Sequence, residues 1–180
     1  MAGRPSSRAQ VLDAAAELVA EIGARHLTLD AVAARAGVSK GGLLYNFPSK
    51  ESLLQAMVQR FVDRQEERER EAMERLPEGP NRTLRAVLAA QLERAPMNCK
   101  AAHSMLAAMA ENPQLLEPAR CASERAVAAI AQESEAPDVA VVLWLAMEGL
   151  LLQEILGTSP FDGEQRRQVV EAILRAAEGK

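Results

Sequence analysis

Apolar residues recur every three or four positions along most of this chain, which is the pattern of amphipathic helices. The first such stretch ends at Gly23 and places four apolar residues on one face: Val11, Ala15, Leu18 and Ile22. No segment alternates apolar and polar residues between turn residues, so the sequence predicts no strand. We therefore expect an all-α fold of about nine helices.

Two short helices joined by a glycine-containing turn follow the first helix. Thr28 is a typical N-cap for a helix at 29–36. Ser39 caps a second helix from about 40 to 47, which must end there because Pro48 drives the preceding residue out of the α region. This arrangement predicts a helix-turn-helix.

A longer helix is predicted from Lys50 to about Arg75. Its first half carries apolar residues at helical spacing, whereas the charged run at 63–71 indicates a solvated second half. At 1.5 Å per residue it spans about 39 Å, enough to leave one domain and enter another. We therefore predict a helix-turn-helix domain at 1–48, a connecting helix at 49–76, and an effector-binding and dimerisation domain at 77–180.

The second domain is predicted to contain five more helices. Prolines and glycines separate them, and their expected spans are 83–94, 97–111, 118–133, 138–156 and 164–177. The helix at 138–156 is apolar nearly all round. It is therefore either buried within one chain or covered by a second copy, and we favour the dimer.

The charge distribution separates the two ends of the chain. The net charge is −4, but residues 1–60 hold seven Lys/Arg against five Asp/Glu, and residues 61–180 hold fourteen against twenty. The first part is thus at +2 and the second at −6. A nucleic acid should prefer the N-terminal part.

Neither a metal site nor a secretory or membrane segment is predicted. Cys99 and Cys121 lack the spacing of a metal-ligand pair and have no histidine pair at ligand distance. The N-terminus has no apolar signal core, and the longest apolar run, at 139–147 and on to Leu152 past Glu148 and Gly149, is well short of the roughly 20 residues of a membrane helix. We expect a reduced cytoplasmic protein without a cofactor.

The second short helix has the composition of a DNA-recognition helix. Such a helix contacts base edges through its N-terminal residues and packs apolar residues behind them. Leu43 and Phe47 are predicted to pack inward, which leaves five residues towards the duplex: Lys40, Gly41, Gly42, Tyr45 and Asn46. Each glycine costs the helix about 1 kcal/mol relative to alanine, which is understandable if the backbone must approach DNA closely.

Phosphate and base contacts are expected from different side chains. Thr28, Tyr45 and Lys50 supply donors for phosphates. Lys40 is expected to face guanine and Asn46 adenine. Each of these residues has a local alternative role, as a packing residue, a solvated side chain or a helix cap, and it is their combination that favours DNA binding.

These motifs resemble the TetR family of one-component bacterial regulators over residues 8–57. The resemblance depends on four segments: Thr-Leu-Asp at 28–30, Ala-Gly-Val-Ser at 36–39, Gly-Leu-Leu-Tyr at 42–45 and Phe-Pro-Ser-Lys-Glu at 47–51. In similar proteins the helix matching 40–47 lies in the major groove, and the operator backbone is contacted by the residues matching Thr28, Ser39, Tyr45 and Lys50. A ring is frequent at the position of Asn46, so its role in base reading stays open.

The resemblance also implies a homodimer with an effector pocket. In the family the last two helices of each subunit form a four-helix bundle, which here would place at the interface Leu145, Leu152, Val169 and Ile173. The pocket is expected among the middle helices, and its candidate lining is Met97, Cys99, His103, Met105, Met109, Trp144, Met147 and Glu148. Ordinary core packing is the alternative for each of them.

A transcription regulator is therefore expected rather than an enzyme. His26 and His103 are far apart in the chain, and no Ser or Cys lies in a nucleophile motif. We predict a sequence-specific repressor that binds double-stranded, palindromic operator DNA as a homodimer and is released by a small apolar ligand. Two alternatives stay open, a DNA-binding protein that responds to no effector and a helical interaction protein without a ligand pocket.

Overall fold

Helices make up most of the computed structural model, which describes residues 7–93 and 99–179. Within these residues there are nine α-helices, two short 3-10 turns and no strand, so the predicted all-α fold is confirmed. The helices are α1 (Ser7–Ile22), α2 (Leu29–Ala36), α3 (Lys40–Asn46), α4 (Lys50–Arg75), α5 (Arg82–Leu92), α6 (Cys99–Glu111), α7 (Glu117–Glu133), α8 (Pro137–Leu156) and α9 (Gly163–Ala177). The 3-10 turns are Ala24–His26 and Pro113–Leu116.

The described residues form two compact units, and the chain passes between them more than once. The first unit contains residues up to 61 together with 99–119, and the second contains 62–93 together with 120–179. This division differs from the predicted one, in which 77–180 was a single domain and α6 belonged to it. The long helix α4 contributes its first half to one unit and its second half to the other.

The core of the first unit explains why α6 belongs to it. Apolar residues of α1, α2, α3 and α4 are buried together with Leu115, and Met105 and Met109 pack against this cluster. The Oγ of Ser104 accepts a hydrogen bond from the backbone N–H of Ala24. These contacts join positions about eighty residues apart, which local periodicity does not reveal.

The second unit is built around α8. Its buried residues Ala140, Met147, Leu150 and Leu151 pack with apolar residues of α5, α7 and α9. Among the described helices, α8 is the one that is long and apolar enough to cross a membrane by length and composition. The apolar run identified in the sequence, 139–152, is shorter than this helix, which extends from Pro137 to Leu156.

The carboxylate of Glu133 on α7 holds the start of α5. It accepts hydrogen bonds from the backbone N–H groups of Arg82 and Thr83, each at 2.7 Å. These N–H groups have no partner within their own helix because they lie in its first turn. Partial burial opposes the charged form of Glu133, but the hydrogen bonds from Thr83 and Arg82 outweigh it and lower its pKa.

Candidate nucleic-acid interface

The turn between α2 and α3 is fixed by caps at both of its ends. Thr28 Oγ1 accepts a hydrogen bond from the N–H of Ala31 at 3.2 Å and so caps α2. Gly37 ends α2 in the left-handed conformation, with φ at 67°. Ser39 Oγ then accepts a hydrogen bond from the N–H of Gly42 at 3.1 Å and caps α3. The cap residues predicted from the sequence therefore do occupy these positions.

The buried side of α3 fixes its orientation on the first unit. Leu43 and Phe47 are almost completely buried in the core, as predicted. The helix ends at Asn46, one residue earlier than predicted, because Phe47 is already extended ahead of Pro48, with φ at −141° and ψ at 91°. The guanidinium of Arg8 lies over the ring of Phe47, 5.4 Å from its centroid. The sequence did not predict this contact.

The opposite side of α3 is open. Gly41, Gly42, Leu44 and Tyr45 are exposed, and Tyr45 is the most prominent of them, at 90% exposure. A Cβ built on Gly41 would meet no atom of the described residues within 4 Å, whereas one on Gly42 would lie 3.2 Å from Ser39 Oγ. Packing inside this unit therefore gives no reason for a glycine at position 41. The exposure of Leu44 was not anticipated from the sequence.

Two of the predicted DNA-contacting cations are held by neighbouring groups. Lys40 Nζ lies 2.9 Å from Asp30 Oδ1, and both side chains are largely exposed. Lys50 Nζ donates a hydrogen bond to the backbone oxygen of Arg25 at 2.7 Å. The ion pair is exposed, so a phosphate or a base can compete with Asp30 at little cost.

Asn46 uses its amide within its own helix. Its Nδ2 donates a hydrogen bond to the backbone oxygen of Gly42 at 3.0 Å, and the side chain is half-buried. One N–H of the amide is thus directed at the backbone of its own helix, and the bidentate contact with adenine that the sequence suggested would require the amide group to turn outward.

The back of the helix-turn-helix is held by an ion-pair group. Arg35 on α2 donates to Glu21 on α1 at 2.9 and 2.8 Å and to Glu17 at 3.2 Å. These hydrogen bonds raise the pKa of Arg35 and, on the other side, lower that of Glu21. Arg35 is thus engaged with α1, away from the exposed side of α3.

The predicted pocket residues are divided between the two units. Met105 and Met109 pack against the core of the first unit, where His103 is exposed. Trp144 and Met147 belong to the core of the second unit, and Glu148 accepts a hydrogen bond from Gln91 there. Met97 lies outside the described residues, as does the side chain of Cys99. No three metal-ligating side chains cluster among the residues that are described.

The predicted interface residues differ in exposure. Leu145 and Leu152 are 54% and 48% exposed on α8. Val169 is half-buried, and Ile173 is only 7% exposed because it packs into the core of its own unit. The outward positions of α9 are instead occupied by its neighbours Ala172 and Ala176.

A buried apolar side behind an exposed, glycine-containing N-terminal half is the architecture of a helix-turn-helix DNA-binding protein. Two family models match the chain. The one described as bacterial regulatory proteins, tetR family, matches residues 11–57, and the one described as tetracyclin repressor-like, C-terminal domain, matches residues 81–178. The chain belongs to the TetR family of bacterial transcription regulators, so the predicted class of DNA-binding regulator is confirmed.

Individual relatives are similar over different parts of the chain. The transcriptional regulator BetI of Klebsiella pneumoniae is 24% identical over 183 residues, covering 96% of this chain and 94% of BetI. The transcriptional repressor KstR2 of Rhodococcus jostii is 39% identical over 61 residues, covering 34% of this chain and 30% of KstR2. Among solved structures, the multidrug binding protein EbrR in its complex with ethidium has a TM-score of 0.64 at 25% identity, covering 93% of this chain and 98% of EbrR.

Proposed function

We propose that this chain is a cytoplasmic homodimeric repressor that places two copies of α3 on a near-palindromic operator and is released by a small ligand. The observation that carries the DNA-binding half is the two-sided character of α3, with Leu43 and Phe47 buried behind it and Gly41 and Tyr45 open in front. A dimer of this kind spans successive major grooves, about 34 Å apart.

The proposed DNA contacts divide by chemistry. Thr28, Ser39, Tyr45 and Lys50 donate to phosphates, which position the protein, while the start of α3 at Lys40 approaches the bases. Gly41 and Gly42 allow close approach of the helix backbone. Asn46 holds the end of α3 through Gly42 and contributes to base reading only if its amide turns outward.

The proposed dimer surface is an apolar stripe on α8. Val142, Leu145, Gly149, Leu152 and Leu156 are all exposed in the single chain and follow one another at spacings of three and four residues. This is the spacing of a helix seam that packs against another helix. A contiguous exposed stripe of this length is covered in most soluble proteins, and a second copy, with Ala172 and Ala176 of α9 alongside, covers it symmetrically.

Release by a small molecule is proposed for the second unit. Family membership supports this role, as does EbrR, whose solved structure contains ethidium. If a ligand weakens operator binding, thermodynamic linkage requires that the operator-bound dimer bind the ligand more weakly by the same factor. Independent binding of operator and ligand would contradict this half of the proposal.

Operator binding at increasing salt tests the DNA half. Each phosphate neutralised by the protein contributes about −0.9 to the slope of log K against log salt, so several contacts give a slope of several units. A slope near zero would overturn the proposal.

The variant Asn46→Ala tests whether this residue reads bases. If its operator binding loses preference at particular base pairs, Asn46 contacts bases, whereas an equal loss of affinity on all sequences would show a purely structural role.

Analytical ultracentrifugation tests the dimer. The double variant Leu145→Glu, Leu152→Glu places carboxylates in the stripe, where burial against a second copy costs several kcal/mol. We expect a folded monomer that has lost operator affinity. The control Gln132→Glu puts a charge on an exposed position of α7, a helix outside the proposed interface, and should remain dimeric. A double variant that stays dimeric would place the interface elsewhere.

A further inference from the structure

A group of polar side chains lies beside the apolar core of the second unit. Arg68 Nη2 donates to Gln65 Oε1 at 2.8 Å, and Gln65 Nε2 donates to Glu69 Oε1 at 3.0 Å. Gln91 Nε2 donates to Glu148 Oε1. These five residues, contributed by α4, α5 and α8, are called the polar cluster below. Polar groups beside a core are costly unless each finds a partner.

The polar cluster adjoins a small apolar seam between α4 and α5. The seam is lined by small residues, Ala72 on α4 with Ala86 and Ala90 on α5, and all three are buried. Glu69 lies three residues before Ala72, which places it on the same face of α4. On α5, Gln91 follows the buried Ala90 in the chain and is itself 7% exposed. Polar residues thus stand next to the buried alanines on both helices.

Gln91 has an acceptor that the protein leaves unused. The residue is 7% exposed, and its Oε1 is buried and accepts no hydrogen bond from any residue that the structure describes. An unsatisfied buried carbonyl costs about 1–3 kcal/mol, and few such groups persist in folded proteins without a role. A bound molecule with an N–H or O–H group would remove this cost.

Glu69 adds a negative charge to the same place. Burial raises the pKa of this carboxyl group, and together with repulsion from Glu66 and Glu148 it outweighs the hydrogen bond from Gln65 and the attraction of Arg68, which act in the opposite direction. The side chain that donates to Glu69 is the neutral Gln65, whereas Glu66 pairs with Arg125 at 2.6 Å. A cation placed beside Glu69 would stabilise the charged carboxylate and reduce the repulsion between the glutamates.

We propose that the polar cluster binds a protonated amine, with the positive charge beside Glu69 and an N–H group donated to Gln91 Oε1. The inference depends on the proposed ligand-controlled function and names the chemical class of its effector. Trp144, four residues before Glu148 on α8 and half-buried against the core, is positioned to meet the apolar part of such a molecule. An organic ammonium ion with at least one N–H fits both requirements of the cluster.

Three probes with the same apolar tail separate these requirements. Hexylammonium has both a charge and an N–H donor, hexyltrimethylammonium has only the charge, and hexanol has only a donor. Trp144 is the one tryptophan of the chain, so its fluorescence reports binding without a label. We expect the full-length protein to bind hexylammonium about tenfold more tightly than either of the others, since it alone gains both interactions.

Two variants assign the preference to residues. Glu69→Gln should abolish the preference for hexylammonium over hexanol, and Gln91→Met should abolish its preference over hexyltrimethylammonium. The control is Glu71→Gln, which removes a carboxylate from an exposed position of the same helix and should leave both preferences intact. Circular dichroism establishes that each variant is folded, and if Gln91→Met does not fold, Glu69→Gln alone decides the result.

The outcomes distinguish this inference from the proposed function. Equal affinity for the three probes, no binding of any probe, or full preference in a folded Glu69→Gln variant would overturn the amine site. Operator binding measured on the same samples is independent of these results. Tight hexylammonium binding that leaves operator affinity unchanged would support the amine site and contradict ligand-controlled release.

Discussion

The two units of this protein differ in how their polar side chains are paired. In the first unit the charges around the helix-turn-helix are matched locally at the surface, as Lys40 is by Asp30 and Arg35 is by Glu17 and Glu21. In the second unit Gln91 is buried with an unused acceptor, and Glu69 is partly buried beside other glutamates. Both units leave a buried guanidinium nitrogen without a partner, Arg60 Nη1 in the first and Arg68 Nε in the second, but among the described residues a buried side-chain acceptor without a donor, Gln91 Oε1, occurs only in the second.

This difference in pairing agrees with the partners that we propose, which are duplex DNA for the first unit and a small ligand for the second. Duplex DNA is large and rigid, so a surface with caps and side chains already in position binds it without reorganisation. A small ligand can gain selectivity only from groups that it removes from water, and a buried acceptor left unpaired penalises any ligand that cannot donate to it. If the two units are independent, substitutions in one of them should change its own stability or binding and leave the other unit unchanged.

Phe47→Ala should have the largest effect and should be confined to the first unit. Removal of a fully buried aromatic ring costs about 3–5 kcal/mol. Far-UV circular dichroism in urea follows both units, whereas Trp144 fluorescence follows only the second, so we expect an early dichroism transition with little change in the fluorescence midpoint. Ile130→Ala, in the core of the second unit, should shift the fluorescence midpoint instead. Equal shifts of both signals in both variants would show that the two units unfold as one.

Tyr45→Ala should affect the binding surface without affecting the core. The side chain is 90% exposed, so we expect a change of less than about 0.5 kcal/mol in the free energy of unfolding. Loss of a phosphate contact should weaken operator binding about tenfold on all sequences. Tyr45→Phe removes only the hydroxyl, and an affinity equal to that of the original protein would mean that the ring, rather than the hydroxyl, makes the contact.

The helix-turn-helix could be predicted almost to the residue because its determinants are local. Thr28, Ser39 and Gly37 act on the nearest turn of helix, and Pro48 acts on the residue before it. Such signals lie within four residues of their effect, so they can be identified in a sequence. The contact of Asn46 with its own helix escaped prediction because an amide can bind either the backbone or a base, and sequence does not decide between them.

Signals that depend on distant contacts could not be predicted. The placement of α6 in the first unit rests on Ser104 meeting Ala24, and the capping of α5 rests on Glu133, some fifty residues away. The polar cluster likewise combines residues of three helices, so only Glu148 was among the predicted pocket residues. Ile173 and Val169 both lie on an apolar stripe of α9, but only the structure shows which side of that stripe faces the chain's own core.

Glu133→Gln should destabilise the second unit by about 1 kcal/mol at neutral pH, because α5 loses a charged partner for its first N–H groups. The lowered pKa makes this contribution depend on pH. It is fully present above 4.5, the ordinary pKa of a glutamate, and is lost as the pH falls through the lowered value. Urea unfolding followed by Trp144 fluorescence should therefore show a gap between original and variant proteins at pH 7 that closes in acid. A gap independent of pH would mean that the charge of Glu133 is not what caps α5.

Gly41→Ala should change stability and operator affinity of the first unit in opposite directions. Alanine in the helix is favoured by about 0.5–1 kcal/mol, and the added Cβ meets no atom of the described residues within 4 Å, so the protein should become more stable. Operator affinity should fall, because the same methyl group stands between α3 and the bases. Gly37→Ala is the matched control, since its φ of 67° disfavours alanine and should make the protein less stable. If Gly41→Ala gains stability and keeps full operator affinity, the glycine is not there for close approach, and the base-reading surface must begin elsewhere on α3.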